Sequence, residues 1–392
     1  MNWLTRERLT VYPRIIVVLY ILVGGYLILL PGLLGHGLVD RLGKPIGTDF
    51  AVYWTASKLA LGGEPATIYD LPKLQAIQAS LIGADFPLVW FYPPTFLLIV
   101  LPLSLMPYLA SLLIWNTVTL SAYLSVIRRI APHPSTIWLT LAFPGTFQNF
   151  FHGQNGFLSA SLIGGGLLLL DSFPVLGGLL LGLVSYKLQL AVLIPIALIA
   201  GRRWQALAAA AASALTLALA SFLVFGQGVW IAFLKNLSLP MQLVKLGALP
   251  VYKMATVFAA TLLLGGSSLL AGILQGLVML AVAAVVIWTW SRPGIPLARR
   301  ASVLVLGILL FTPFTFEYDL TLLVLPLAWL AWEGYTQGWP AKMQGFLFLG
   351  WLMPIIAPLL AKMTYLQVGP MILAALIIFT LGLPPQKKWS ST

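Results

Sequence analysis

The sequence contains no cysteine and very little charge. Only 8% of its 392 residues are charged, against roughly 25% in a typical soluble domain, and just ten are acidic. The absence of cysteine excludes disulfide bonds and thiol chemistry. The shortage of charge excludes an ordinary soluble domain, because the surface of such a domain needs charged side chains to remain in water.

Long apolar runs make up most of what is present. Hydrophobic residues account for 60% of the chain. Runs of about 20 residues, the length that crosses a bilayer as a helix, recur from end to end. We therefore predict an all-α, polytopic helical membrane protein. It would form a single membrane domain over residues 1–392, with roughly 10 to 13 membrane segments at about 20 residues per span.

The net charge of +12 would suit a nucleic-acid partner, but the positions of the basic residues do not. They occur in short clusters beside the apolar runs, at Arg6, Arg8 and Arg14, at Arg128 and Arg129, at Arg202 and Arg203, at Arg292, Arg299 and Arg300, and at Lys387 and Lys388. Basic clusters at span ends are typical of cytoplasmic loops. We expect cytoplasmic termini in the plasma (inner) membrane and no nucleic-acid partner.

The order of apolar and polar stretches predicts the organisation of the chain. The run 15–34 lacks a small-residue cleavage site, so it is predicted to be a retained first span. It would place residues 35–90 outside the membrane as a large first outer loop. The other membrane segments would occupy 91–383, with a smaller outer loop over 226–253, and residues 384–392 would form a cytoplasmic tail.

The first outer loop carries half of the acidic residues of the chain, namely Asp40, Asp49, Glu64, Asp70 and Asp85. A short helix is predicted over 48–61, capped by the side chain of Thr48 or Asp49 and ended by the two glycines that follow. Its aromatic side chains share one face, which predicts an amphipathic helix lying on the membrane surface with that face towards the lipid. A second short helix is predicted over 72–81.

Several apolar stretches are too short for ordinary spans and are interrupted by polar residues. The clearest are the pairs 174–186 with 188–200 and 301–313 with 320–332. Broken helices at membrane depth are tolerated where they line a protein-enclosed or watery cavity. The proline-rich stretch 91–129 allows two crossings, or one crossing plus a partial segment, and the charge rule favours the second.

Four polar clusters interrupt the apolar sequence and are candidate functional sites. They are Asp49; His152, Gln154 and Asn155; Tyr186, Lys187 and Gln189; and Glu317, Tyr318 and Asp319. Three have a plainer interpretation: a helix cap for the first, a wetted loop for the second, and an ion-pair partner for a lysine in the last. Lys187 is harder to explain in this way, because a lysine between two apolar segments needs an anion or water.

No known metal or nucleotide signature occurs in the sequence. His36, His133 and His152 are isolated from one another and from carboxylate pairs, so neither a metal site nor another cofactor is expected. There is no P-loop and no dinucleotide-binding fingerprint. An activated substrate must then come from elsewhere, and in a membrane a lipid carrier is the natural source.

Five stretches, taken in their order along the chain, resemble glycosyltransferase family 87, which belongs to the GT-C superfamily. They are GTDFAVYWTASKLALGGEPATIYD, FYPPTFLLIVLPLSLMPY, GQNGFLSASLIGGGLLLLD, GLLLGLVSYKLQLAVLIPIALIAGRRW and TPFTFEYDL. The resemblance covers residues 45–330. In one departure, Leu188 stands between Lys187 and Gln189, where the family commonly has proline.

The resemblance implies a GT-C-like fold and a polyprenyl-phosphate-linked sugar donor, most often a mannose donor. It also implies transfer at the outer membrane face to a lipid or glycan acceptor. GT-C enzymes use an acidic residue of the first outer loop as catalytic base, and Asp49 is the matching position. When a carboxylate takes the acceptor's proton and the hydroxyl attacks opposite the leaving phosphate, the anomeric carbon is inverted.

The departing phosphate needs a cation beside it, because a preplaced charge is usually the largest catalytic term. Lys187 is the first candidate for this contact and Lys253 the second. Contacts to the sugar or the acceptor are expected from the remaining polar candidates, which are His152, Gln154, Asn155, Tyr186, Gln189, Glu317, Tyr318 and Asp319.

Two other classes of function remain as alternatives. A transporter or flippase for lipids or lipid-linked sugars would use similar broken helices and buried charges. The missing inverted repeat and the large first outer loop weigh against it. A non-catalytic membrane scaffold leaves Lys187 unexplained. The acceptor stays open between a phosphoinositol glycolipid, a cell-wall glycan, a hopanoid lipid and a protein hydroxyl.

Overall fold

The computed structural model describes residues 6–29, 37–83 and 88–384, and helices dominate that part of the chain. Within it there is no strand, only two isolated β-bridges, which join Val39 to Pro45 and Met254 to Phe316. The prediction of an all-α protein is therefore confirmed. Asp85 and part of the predicted first span lie outside the described residues.

The first group of helices runs from the N-terminal span to the polar cluster around His152 and just beyond it. These helices are α1 (Arg6–Gly24), α2 (Thr48–Leu61), α3 (Leu71–Ile82), α4 (Pro94–Val100), α5 (Tyr108–Ile130), α6 (Thr136–Leu141), α7 (Pro144–His152) and α8 (Gly156–Leu169). A π-helical turn, Gly25–Leu29, extends α1.

The second group contains the broken helices and the longest spans. These helices are α9 (Pro174–Leu183), α10 (Leu188–Ala191), α11 (Leu193–Ala200), α12 (Trp204–Lys235), α13 (Leu239–Lys245), α14 (Val257–Leu263), α15 (Ser268–Trp290), α16 (Leu297–Phe311), α17 (Val324–Gln337), α18 (Met343–Thr364) and α19 (Gly369–Leu381).

Five helices of the described chain are long and apolar enough to cross a membrane. They cover Glu7–Leu27, Tyr108–Ile130, Trp204–Lys245, Ser268–Trp290 and Met343–Thr364. Five shorter apolar helical segments accompany them, at Pro94–Leu105, Gly156–Leu169, Pro174–Tyr186, Leu188–Ala200 and Gly369–Leu381. The chain is thus a multi-pass membrane protein, while the count of 10 to 13 membrane segments stays a prediction.

The predicted breaks in the apolar stretches are present. A 3₁₀ turn, Val184–Tyr186, ends the helical run that begins at Pro174, and the next helix starts after Lys187. Between α16 and α17 the chain is irregular until the 3₁₀ turn Asp319–Leu323. The stretch 91–129 forms a short helical segment and one helix of spanning length, which is the second of the two predicted arrangements.

One prediction about the outer loops is wrong. The aromatic residues Phe50 and Tyr53 of α2 are buried in protein, with 0% and 1% exposure, so this helix does not lie on a membrane surface. All residues of this helix from Phe50 to Ser57 are buried, and α4 and the turn at Leu101–Leu105 pack against it. The second outer loop, predicted over 226–253, contains helices, and its place outside the membrane stays a prediction. There α12 kinks at Gly226 and continues to Lys235.

Small residues allow the short helices to pack closely. A methyl group added at Gly178 of α9 would lie 2.3 Å from the carbonyl oxygen of Ala206 in α12. At Gly182 the same addition would lie 2.1 Å from the carbonyl oxygen of Ala210. Close backbone approach through glycine and alanine is the usual way in which membrane helices associate. This contact fixes the direction of α9, and so the position of Lys187 beyond its end.

Candidate active site

Asp49 lies in the first turn of α2, where it is free of any capping role. The helix begins after Gly47, whose φ of 67° is the left-handed conformation that glycine adopts without strain. No side chain caps this helix, so the prediction of a Thr48 or Asp49 cap is wrong. The Asp49 side chain keeps 26% exposure. A partly exposed carboxylate that caps no helix is available for chemistry.

A second glycine turn brings His152 next to Asp49. Gly153 follows α7 with a φ of 60°, and a methyl group there would lie 2.6 Å from the Cβ atom of Phe50. Both this turn and the one at Gly47 press against Leu112 of α5. The close contact places His152 Nδ1 3.6 Å from Asp49 Oδ2.

The imidazole of His152 lies between two carboxylates. Its Nδ1 atom faces Asp49, whereas its Nε2 atom lies 4.0 Å from Glu317 Oε1. Nδ1 is buried and has no hydrogen-bond partner among the described residues. The ring therefore connects the predicted base to the segment between α16 and α17, which is far away in the sequence.

Gln154 and Asn155 are held by a buried network. The Gln154 Oε1 atom accepts hydrogen bonds from the hydroxyls of Tyr53 and Tyr92 and from the backbone N–H of Asn155. The side chain of Gln154 also hydrogen-bonds to Asp49. Asn155 is 0% exposed, and its Nδ2 atom has no partner among the described residues. That amide is a free donor inside the site.

Lys187 has an anionic partner inside the protein. Its Nζ atom lies 2.5 Å from Asp319 Oδ1 and donates to Asn155 Oδ1 at 3.0 Å. Lys187 and Asp319 are each 2% exposed. The other oxygen of Asp319 accepts from the backbone N–H of Phe316 at 3.0 Å. The lysine that breaks the apolar run is thus fully enclosed and neutralised.

Lys253 forms the second ion pair of the site and is far more accessible. Its Nζ atom lies 2.5 Å from Glu317 Oε1, and the lysine side chain is 29% exposed. The β-bridge between Met254 and Phe316 holds the two segments side by side, and Ala255 donates its N–H to the carbonyl of Thr315. The residue that was the second choice from sequence is therefore the cation that a ligand can reach.

The other candidate residues differ in how exposed they are to a ligand. Tyr318 is partly exposed, stacks on Phe316 and lies edge-on to His152, with 6.4 Å between ring centroids. Tyr186 is completely buried, and its hydroxyl pairs with the Ser159 hydroxyl at 2.7 Å. Gln189 is partly exposed and lies in the first turn of α10, just after the break. Tyr318 borders the accessible side of the site, and Tyr186 supports it from behind.

Two tyrosines that the sequence reasoning missed belong to this site. Tyr53 and Tyr92 orient Gln154, and their hydroxyls lie 3.0 Å apart. The sequence does indicate Tyr53, because residues four apart on a helix share a face and Tyr53 follows Asp49 at that spacing. Tyr92 lies outside any helix, and nothing in its local pattern points to this contact.

Burial changes the pKa of both groups at the predicted base. Loss of solvent raises the pKa of Asp49 to about 6, although Lys253, Lys187 and the hydrogen bond from Gln154 act in the opposite direction. Loss of solvent lowers the pKa of His152 to about 4, against the nearby charge of Glu317. The imidazole is therefore neutral near pH 7, and Asp49 has the pKa of a base that works at neutral pH.

The arrangement does not resemble a metal centre. The described residues contain no group of three or more His, Asp or Glu side chains placed to hold one ion. The two carboxylates nearest His152 lie on opposite sides of its ring, so the three side chains do not face one point. The cations available to an anionic ligand are lysines.

Comparison with known proteins gives one significant match. A family model described as glycosyltransferase family 87 matches residues 90–313, more than half of the chain. The matched region contains His152, Lys187 and Lys253, whereas Asp49 precedes it and Glu317 follows it. No curated protein and no solved structure gives a significant match.

Proposed function

Because the chain belongs to glycosyltransferase family 87 and is a membrane glycosyltransferase, we propose that it transfers a hexose from a polyprenyl-phosphate carrier. Mannose is the first candidate for the sugar. The acceptor is a lipid or a glycan, and the anomeric carbon is inverted. The observation that carries this proposal is a partly exposed carboxylate, Asp49, grouped with two lysines suited to a phosphate.

In the proposed reaction Asp49 is the general base. The acceptor hydroxyl attacks the anomeric carbon on the face opposite the phosphate, and its proton passes to the Asp49 carboxylate. The bond between the anomeric carbon and the phosphate oxygen breaks, and polyprenyl phosphate leaves with the electron pair. No second carboxylic acid is needed, because the leaving group departs as an anion.

His152 is proposed to orient the base. Its neutral imidazole lies 3.6 Å from Asp49 and borders Glu317 on the other side, which limits the positions open to the carboxylate. Holding a reacting group in one geometry supplies part of the catalytic effect. The free Nδ2 atom of Asn155 and the exposed edge of Tyr318 are proposed to bind hydroxyls of the sugar or acceptor.

Both lysines are proposed to stabilise the negative charge of the phosphate. Lys253 is accessible, which supports it as the direct contact once its pairing with Glu317 loosens. Lys187 is enclosed with Asp319, and its charge acts from behind through Asn155. A cation placed before the reaction needs no rearrangement as negative charge develops on the leaving group.

The site is proposed to face the periplasm or the cell exterior, with both termini in the cytoplasm. The support is the distribution of basic residues, since clusters such as Arg128 with Arg129 and Arg202 with Arg203 favour the cytoplasmic side. The donor would then be taken from the outer leaflet of the plasma membrane.

The test is sugar transfer by the purified protein in detergent. Radiolabelled polyprenyl-phosphate-mannose and its glucose counterpart are offered with candidate lipid acceptors, and labelled product is measured. We expect transfer from one of these donors without any sealed vesicle. A flippase for lipid-linked sugars would need two separated compartments, so movement of donor across vesicles with no transfer in detergent would support that alternative instead.

We expect kcat/KM to rise with pH and to level off above about pH 6. Asp49 accepts a proton only as the carboxylate, and its pKa of about 6 means that activity is lost as the pH falls below that value. Lys253→Gln removes a charge that lowers this pKa, so its profile should move to higher pH. Lys245→Gln, at an exposed lysine, is the matched control. A wild-type profile that stays flat to pH 4 would contradict the assignment.

We expect transfer to survive EDTA. The sequence has no metal-ligand spacing, and the lysines supply the positive charge that a metal would otherwise bring to the phosphate. The measurement is the initial rate in detergent with EDTA alone and with EDTA plus excess Mg²⁺ or Mn²⁺. Complete loss of activity with recovery on adding metal would require Asp49 to be reinterpreted as a metal ligand.

A further inference from the structure

The end of the helical bundle opposite the candidate active site contains a buried arginine, Arg300, that makes no ion pair among the described residues. Arg300 lies in the first turn of α16, and only 8% of it is exposed. From there the helix continues for about 17 Å, at 1.5 Å per residue, before it ends at Phe311 near the site. The Nε atom of Arg300 has no hydrogen-bond partner, and none of the ion pairs among the described residues includes it.

The neighbouring arginine shows how this chain satisfies a buried guanidinium. Arg299 donates to both oxygens of Glu333 and also to the carbonyls of Leu383 and Pro384. Arg300 is buried to a similar extent and has no such set of acceptors. A buried donor without an acceptor is costly, so an anion that accepts from the Nε atom would remove a penalty.

The charged side chains near Arg300 do not neutralise its positive charge. Arg203 repels it and Asp171 attracts it. That carboxylate is already paired, with its Oδ1 atom 2.5 Å from a nitrogen of Arg203. The three side chains together carry a net charge of +1, so the group retains one positive charge to neutralise.

Trp290 holds the two arginines near one another. The Arg300 guanidinium lies 5.8 Å from the centre of its ring, and its indole N–H donates to the Arg300 carbonyl. On the other side, a methyl group at Gly201 would lie 3.0 Å from a ring carbon of this tryptophan. Gly201 lies two residues before Arg203, so Trp290 contacts the Arg300 guanidinium and also the turn that carries Arg203.

The start of α12 adds backbone donors to this group. Arg203 is the N-cap residue of this 32-residue helix, and no side chain accepts a hydrogen bond from its first turn. Free N–H groups at a helix N-terminus attract anions, phosphate above all. The buried guanidinium of Arg300 is an independent observation at the same place.

The surroundings favour an anion that belongs to a membrane lipid. Trp204, the next residue along, is 59% exposed, and Phe173, near Asp171, is 61% exposed. Exposed aromatic side chains next to basic residues are typical of the membrane–water interface. A free anion in solution would not need such apolar neighbours, whereas a lipid headgroup brings its own acyl chains.

We propose that Arg300, Arg203 and the N-terminus of α12 bind the phosphate of an anionic membrane lipid. The site is separate from the candidate active site, and it does not depend on the proposed function. Bound lipid would neutralise the buried charge and join the start of α12 to the start of α16.

The experiment measures lipid binding and melting temperature on the full-length protein after delipidation in detergent. Phosphatidylglycerol, phosphatidylcholine and inorganic phosphate are titrated separately, with native mass spectrometry for the lipids. We expect phosphatidylglycerol to bind more tightly than phosphatidylcholine and to raise the melting temperature. Arg300→Met should weaken its binding by about 10- to 150-fold, the equivalent of losing a hydrogen bond to a charged group.

The matched control is Arg202→Met, which removes the same charge from an exposed position next to Arg203 and should change binding little. Without lipid, Arg300→Met should melt no lower than wild type, because it removes a buried donor that has no acceptor. If that variant fails to fold, Arg203→Gln tests the same site at a half-buried side chain. Equal affinity of wild type and variant for phosphatidylglycerol would overturn the proposal. Equal stabilisation by inorganic phosphate would overturn the assignment to a lipid.

Discussion

Replacement of Asp49 by asparagine is expected to lower sugar transfer by about 10²- to 10⁴-fold, the usual effect of removing a general base. Asparagine has the same shape and can keep the hydrogen bond with Gln154, but it cannot take up the acceptor's proton. The structure adds a reason to expect a normal fold, since Asp49 caps no helix and makes no ion pair shorter than 3.6 Å. Expression, melting temperature and donor binding should remain close to wild type.

Glu64→Gln is the matched control for this variant. Glu64 lies in the same stretch of the chain, just after α2, and its side chain is exposed. Glu64→Gln also removes one negative charge from this stretch of the chain. It should retain full activity if Asp49→Asn is slow because the base is missing. Near-normal turnover by purified Asp49→Asn would rule it out as the base. That result would leave Glu317 as the carboxylate to test next.

The breaks in the helices could be predicted from sequence because their cause is local. A lysine between two apolar segments, or an acidic pair followed by another apolar segment, cannot continue as a lipid-facing helix. The chain accordingly breaks at Lys187 and again before Asp319. The partners of these residues were not predictable. Whether Lys187 pairs with Glu317 or Asp319 depends on the packing of helices that are distant in sequence.

The burial of α2 could not be predicted for a related reason. Its aromatic and small apolar residues suit either a lipid surface or a protein interior, and helical periodicity does not distinguish the two. Helix α2 is buried because α4 and α5 cover it and because the two glycine turns pack against Leu112. The same turns bring His152 to Asp49, and no local pattern in either segment indicates that meeting.

Replacement of Lys187 by methionine is expected to destabilise the protein as well as lower its activity. Methionine preserves the packing of the side-chain stem. However, the substitution leaves the carboxylate of Asp319 without its partner at 2% exposure. Removing one partner of a buried ion pair typically costs about 3–5 kcal/mol. The melting temperature of Lys187→Met should fall clearly.

The double variant Lys187→Met/Asp319→Asn separates stability from function. It removes both charges, and the asparagine can still accept the N–H of Phe316, so most of the stability should return. A second buried pair, Arg299 with Glu333, provides the control, because Arg299→Met/Glu333→Leu removes charge far from the site. That control variant should transfer sugar normally if it folds.

The activity of the double variant, once its stability is recovered, then shows the role of Lys187. If its charge helps to stabilise the leaving phosphate, the double variant should bind polyprenyl phosphate weakly and remain slow despite its recovered stability. Lys187→Arg should retain part of the activity, because the charge remains while the planar group fits less well. A double variant with normal phosphate binding and turnover would make Lys187 a purely structural residue. Lys253, at 29% exposure, would then be the sole phosphate contact among the candidates.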